Sequence, residues 1–221
     1  MNKQELLEEL RSTLSGKTFD ALLPPILFAL INALFDLTPA TLGAFGIAGL
    51  LGVYRFFKKQ NWFYALGGFL AVSLAAGFAY YTGTAANYFI GSIVNGALLF
   101  FLAFISLLIG KPLAAWLSHI TRGWPLSWFW RRDVKPAYRE VTLVWTILLF
   151  IRFAVRLFFF QRGSATELAF VNTLTGWPMM VPVLVLSYIY GVWRLKKLQG
   201  PGVEEYQRGD SPPWKGQTRG F

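Results

Sequence analysis

The chain has 221 residues, 55% of them hydrophobic, 18% aromatic and 14% charged, with one histidine, no cysteine and a formal net charge of +10. Soluble domains carry roughly 25% charged residues, so this composition excludes an ordinary soluble globular protein and points to a multi-span membrane protein. Without cysteine there can be no disulfide, thiolate metal site or cysteine nucleophile, and the lone His119 cannot build a histidine metal cluster.

Residues 1–18 place Leu6, Leu7, Leu10 and Leu14 at helical spacing, with Glu5, Glu8 and Glu9 on the other side, which predicts a short amphipathic helix. Acidic residues dominate its first turns and the apolar run starts only at Phe19, unlike a cleaved signal peptide, so the first span is expected to be retained. The membrane domain then runs over 19–197 as one bundle of about six transmembrane helices. Span 1 is 19–37, with Pro24 and Pro25 early and Asn32 and Asp36 late on a shared face. Span 2 is 39–57, where Gly43, Gly46, Gly49 and Gly52 recur every third residue and predict close approach of a neighbouring helix. Span 3 is 62–81, with Gly67, Gly68 and Gly77, and span 4 is 88–110, carrying Ser92 and Asn95.

The connection Lys111 to Arg139 mixes Trp116, Trp124, Trp128 and Trp130 with basic residues, a composition suited to a membrane interface and to anionic lipid headgroups. An interfacial helix is predicted over Pro112 to Ile120. Span 5 is 141–160, VTLVWTILLFIRFAVRLFFF, about 30 Å long as a helix, yet it contains Arg152 and Arg156. A charge near mid-membrane costs roughly 2.5 to 3.5 kcal/mol, so such arginines face protein, a polar cavity or a route to the interface. Four residues apart, the two share one helix face with Leu149 and Trp145. Span 6 is 168–192, with Asn172, Pro178 and Pro182, and the Gly- and Pro-rich tail over 198–221 is expected to be a disordered cytoplasmic segment. Its Arg208, Gly209, Asp210 triplet resembles an adhesion motif by chance.

Of the 21 Lys and Arg residues, all but Arg152, Arg156 and Arg162 fall in segments that share one side if both termini are cytoplasmic. This is the positive-inside pattern with an even number of spans, and it accounts for the basic charge without nucleic acid. Spans 2 and 6 end alike, in GVYRFFKK and GVWRLKK, which leaves repeated hairpins open.

Asp20, Asp36, Asp133, Glu140 and Glu167 all lie at span ends or in loops, so no titratable group or metal-binding carboxylate is placed mid-span for acid–base chemistry. The reading is non-enzymatic, with no catalytic or metal residues and no cofactor. At about 1.5 Å per residue, Arg152, Arg156, Asn95 and Asn172 fall about 6 to 12 Å below the outer span ends, and Asn32 and Asp36 reach the same layer. If their faces converge, these six residues are expected to form a polar pocket with net positive charge in the outer half of the bundle, Asp36 pairing Arg156.

The LLPPILFALINALF opening, the IGKPLAAWL segment and AYREVTLVWTILLFIRFAVRLFFF followed by a short loop and a final span resemble an uncharacterised bacterial family of integral membrane proteins, a domain of unknown function numbered three-one-five-nine. The GKPL element and the tryptophan-bearing span 5 are more distantly similar to the inner-membrane septation protein A family. These resemblances imply a bacterial plasma-membrane location and an envelope-related role, and they carry no site residues. Two functions stay open: an envelope-maintenance or scaffold protein, and a small transporter or channel for an anionic or lipidic solute using the pocket around Arg152. The bilayer and anionic headgroups are the expected partners, and a homo- or hetero-oligomer stays open.

Overall fold

A computed structural model of the chain describes residues 16–57, 62–217 and 220–221. The amphipathic helix expected over 1–18 lies outside the described residues except for its last three, which begin the first helix. The described residues contain helices and no strand: α1 (Gly16–Leu34), α2 (Leu37–Phe57), α3 (Trp62–Thr82), a 3₁₀ turn (Ala85–Phe89), α4 (Ile90–Leu108), α5 (Leu113–Arg122), α6 (Leu126–Phe129), α7 (Lys135–Gln161), α8 (Ala165–Leu174), α9 (Trp177–Leu198) and α10 (Val203–Arg208). Among the described residues, four stretches are long and apolar enough to cross a membrane: Leu37–Tyr54, Ala85–Leu108, Lys135–Gln161 and Ala165–Leu198. Two shorter apolar helical stretches, Leu23–Leu34 and Leu66–Thr82, occupy the first and third of the six predicted spans. Leu98, Phe101, Leu102, Ile105 and Leu108 on α4, and Leu143, Val144, Ile147, Phe150 and Ile151 on α7, are all exposed. Continuous apolar faces of this kind belong against lipid rather than water.

Where composition predicts one bundle, the chain divides into two compact units, one of residues up to Val94 with Val155–Trp177 and the other of Asn95–Ala154 with Pro178–Phe221. In the first unit α2 packs against α1 and α3, and α8 against α1 and the 3₁₀ turn. Its core sets Phe28 against Tyr88, with rings stacked at 4.2 Å, among the small residues Ala40, Ala44, Ala76 and Ala79. Of the glycines predicted to admit a neighbour, Gly43 does so: a methyl group there would meet Ile31 Cδ1 at 2.5 Å. Gly46, Gly49, Gly52, Gly67 and Gly77 have no atom of the described residues within contact distance of an added methyl group.

The second unit is built on Trp128, Phe129, Val134, Tyr138, Val141 and Leu195, all buried. Trp128, read from sequence as an interfacial anchor, is fully covered, and its indole N–H donates to the Pro201 carbonyl at 2.9 Å. Helix α5 matches the predicted interfacial helix in position. Thr142 accepts the Ala114 N–H at 3.1 Å near its start, and it ends at Gly123, whose φ of 69° suits glycine.

Two boundaries differ from the sequence reading. Helix α7 begins at Lys135, not Val141, since the backbone continues through polar residues that a hydropathy reading assigns to the loop, and Pro136 sits in its first turn, where a missing amide costs nothing. The sixth span is broken at Thr175 and Gly176, so that α8 and α9 are separate helices.

The tail is folded where composition predicts disorder. The Glu205 carboxylate accepts the N–H groups of Gly202, Lys215 and Gly216 at 2.8, 2.7 and 3.1 Å. Phe221 stacks on Tyr138 at 4.3 Å. The Arg208 and Asp210 side chains of the adhesion-like triplet pair with each other at 2.9 Å.

Candidate functional site

In the first unit, the end of α7, α8 and the first turn of α4 bring two of the six residues flagged by spacing, Arg156 and Asn172, together with two hydroxyls that spacing did not place in the pocket, Ser92 and Thr175. Arg156 is 3% exposed. Its Nη1 donates to the Ser92 carbonyl at 3.1 Å and its Nη2 to the Thr175 hydroxyl at 3.4 Å. Asn172 Nδ2 donates to Ser92 Oγ at 3.1 Å, and Ser92 Oγ donates to the Phe89 carbonyl at 2.7 Å. Thr175 lies at the break before Gly176, and its hydroxyl donates to the Val171 carbonyl at 2.7 Å. A guanidinium can be held in an apolar surround when carbonyl and hydroxyl oxygens replace water at its donors, which is the arrangement here.

The other predicted pocket residues are placed differently. Asp36 is exposed beside the α1–α2 turn and has no ion pair among the described residues, so its expected pairing with Arg156 is not found there. Asn32 is half-buried on α1. Asn95 and Arg152 belong to the second unit, where Asn95 is exposed and Arg152 has its Nε buried without a hydrogen-bond partner among the described residues.

Sequence reasoning missed a second constellation, within the second unit. Glu140, assigned to a loop, is on α7, where Arg194 of α9 meets it with two bonds of 2.8 Å and the Tyr190 hydroxyl donates at 2.6 Å. The available signal was Pro136, a residue at home in a first helical turn, which would have moved the start of α7 and put Glu140 inside it. His119 makes one local bond, from Nδ1 to the Trp124 carbonyl at 2.6 Å. Among the described residues, no group of three or more His, Cys, Asp or Glu side chains could hold a metal ion.

The family model described as Protein of unknown function (DUF3159) matches residues 16–197, most of the chain. The chain belongs to that family. No curated protein and no solved structure matches it. The likeness to septation protein A therefore rests on the motifs alone. In this DUF3159 chain the matched region takes in every residue of both constellations, and the α10 tail falls beyond it. Chemically, the contacts described for the Arg156 cluster are a guanidinium donating to a carbonyl and a hydroxyl oxygen, an arrangement suited to holding helices together or to meeting an anion.

Proposed function

We propose that the protein is a non-enzymatic, multi-pass protein of a bacterial plasma membrane, with six spans and both termini cytoplasmic, that serves as an envelope-maintenance or scaffold component. The observation that carries this reading is Arg156, whose guanidinium bonds the Ser92 carbonyl and the Thr175 hydroxyl inside its own unit and so acts as a structural tie. Support for the topology comes from the four long apolar stretches, the two shorter ones at α1 and α3, and the one-sided distribution of basic residues. A second reading, a transporter or channel for an anionic or lipidic solute, is favoured by Arg152, whose buried Nε has no partner among the described residues.

Vesicles of purified protein separate the two. A scaffold gives chloride and phosphate efflux no faster than protein-free vesicles, and its Arg152→Leu variant still restores growth under envelope stress to a deletion strain. Anion efflux that disappears in a folded Arg152→Leu variant would replace the scaffold with the transporter.

A further inference from the structure

In the second unit, α4 and α7 border an open groove of about 940 Å³. Its wall is apolar, formed by Phe100 and Phe104 from α4 and by Leu143, Ile147 and Phe150 from α7. Its mouth is charged, formed by Arg132, Lys135, Arg139 and Glu140. The one carboxylate there is already held by Arg194 and Tyr190. The three cations have no ion pair among the described residues, and Arg132 and Arg139 are exposed. The mouth therefore offers uncompensated positive charge at one end of an apolar channel. From Arg139 to Phe150 the groove follows α7 for about 16 Å, close to the half-thickness of a hydrocarbon core about 30 Å across.

We propose that this groove is a binding site for an anionic phospholipid, its phosphate at Arg132, Lys135 and Arg139 and an acyl chain lying along Phe104, Ile147 and Phe150. The proposal rests on the reading that α4 and α7 lie in a bilayer. It deepens that reading by assigning one lipid class to one groove. Charge decides for this occupant over a protein helix, because three cations beside an apolar strip one leaflet deep match a headgroup with its chain. A zwitterionic lipid brings the same phosphate together with its own cation, and so leaves the net positive charge of the mouth uncompensated.

The test is native mass spectrometry of the full-length protein purified in detergent and offered equal amounts of phosphatidylglycerol and phosphatidylcholine with identical chains. The wild type retains phosphatidylglycerol at least about tenfold over phosphatidylcholine. Arg132→Gln/Lys135→Gln/Arg139→Gln brings the ratio to near parity, and Arg139→Gln alone lowers it about fivefold, the size expected for one basic residue at an anionic surface. If the triple variant does not fold, the single variant carries the test. Lys111→Gln/Arg122→Gln, which changes basic residues outside the groove, leaves the ratio intact. Ile147→Trp, which fills the apolar wall, removes one bound lipid whichever headgroup it has.

Equal retention of both lipids by the wild type would overturn the site, as would a preference that survives the triple change or one lost equally with Lys111 and Arg122. Unchanged retention in Ile147→Trp would also overturn it, leaving only surface attraction for phosphate. A protein that stays monodisperse once detergent is removed would contradict the membrane reading itself, an outcome distinct from any of these.

Discussion

Arg194 grips Glu140 with both arms of its guanidinium, Nε on Oε2 and Nη2 on Oε1, each at 2.8 Å, and so ties α9 to α7. This planar geometry is specific to arginine, which makes Arg194→Lys a poor replacement. The side chains are 24% and 35% exposed, so water screens the pair and its coupling should be small but favourable. A double-mutant cycle of Glu140→Gln and Arg194→Gln, read by thermal unfolding in detergent, should return that coupling. Strictly additive losses would show that the two residues act independently.

Arg156 and Asp36 should prove uncoupled. Hydrogen bonds to a charged group are worth about 1.5 to 3 kcal/mol, so Arg156→Gln should destabilise by about that amount. Arg156→Lys should not fully restore stability, since an ammonium lacks the two separate planar arms with which Arg156 reaches the Ser92 carbonyl and the Thr175 hydroxyl. Asp36, exposed and without an ion pair among the described residues, should tolerate Asp36→Asn within about 0.5 kcal/mol. A loss on Asp36→Asn as large as that on Arg156→Gln would reinstate the pairing that the sequence predicts.

The tail should open in acid. The N–H donors of Gly202, then Lys215 and Gly216, hold the Glu205 carboxyl below the usual carboxylate range, against a smaller opposing effect of desolvation. A lowered folded value means that the contribution is complete above the unfolded value of about 4.3 and fades as pH falls through the folded one. Trp214 emission and cleavage of the tail by an acid-active protease should both report its release as pH falls below the ordinary carboxylate range. In Glu205→Gln the tail should be loose even at neutral pH. A wild-type acid profile identical to that of Glu205→Gln would contradict the clamp.

Gly191 is reserved for Phe221. A methyl group at Gly191 would run into the Phe221 ring, which lies stacked on Tyr138. Gly191→Ala should therefore cost about 1 to 3 kcal/mol by overpacking. Combined with Phe221→Ala it should cost less than the sum of the two single changes. Additive unfolding energies would show that the ring does not occupy that space.

Periodicity and composition made the long apolar helices legible, because burying or lipid-facing stripes impose a pattern on many residues at once. Boundaries were less so. The polar turn from Lys135 to Glu140 belongs to α7 although hydropathy stops at Val141, and the break at Thr175 and Gly176 falls inside a run that reads as continuous. Arg156 announced itself through the cost of a buried charge, but one of its acceptors is a backbone carbonyl, which leaves no mark on the sequence. The tail misled for a related reason. Its Gly and Pro content suggests disorder, while its order rests on a few anchors, the Glu205 carboxylate with its three N–H donors and the Phe221 ring on Tyr138.

Site-by-site cysteine accessibility tests the multi-pass reading most directly, because the chain has no cysteine and each substitution stands alone. In cells whose outer barrier is opened, a membrane-impermeant maleimide should label Thr84→Cys and Arg162→Cys, and it should reach Ser127→Cys and Gln199→Cys only after the membrane is broken. Labelling of Ser127→Cys or Gln199→Cys in intact cells, or of none of the four until lysis, would contradict an even number of spans with both termini inside.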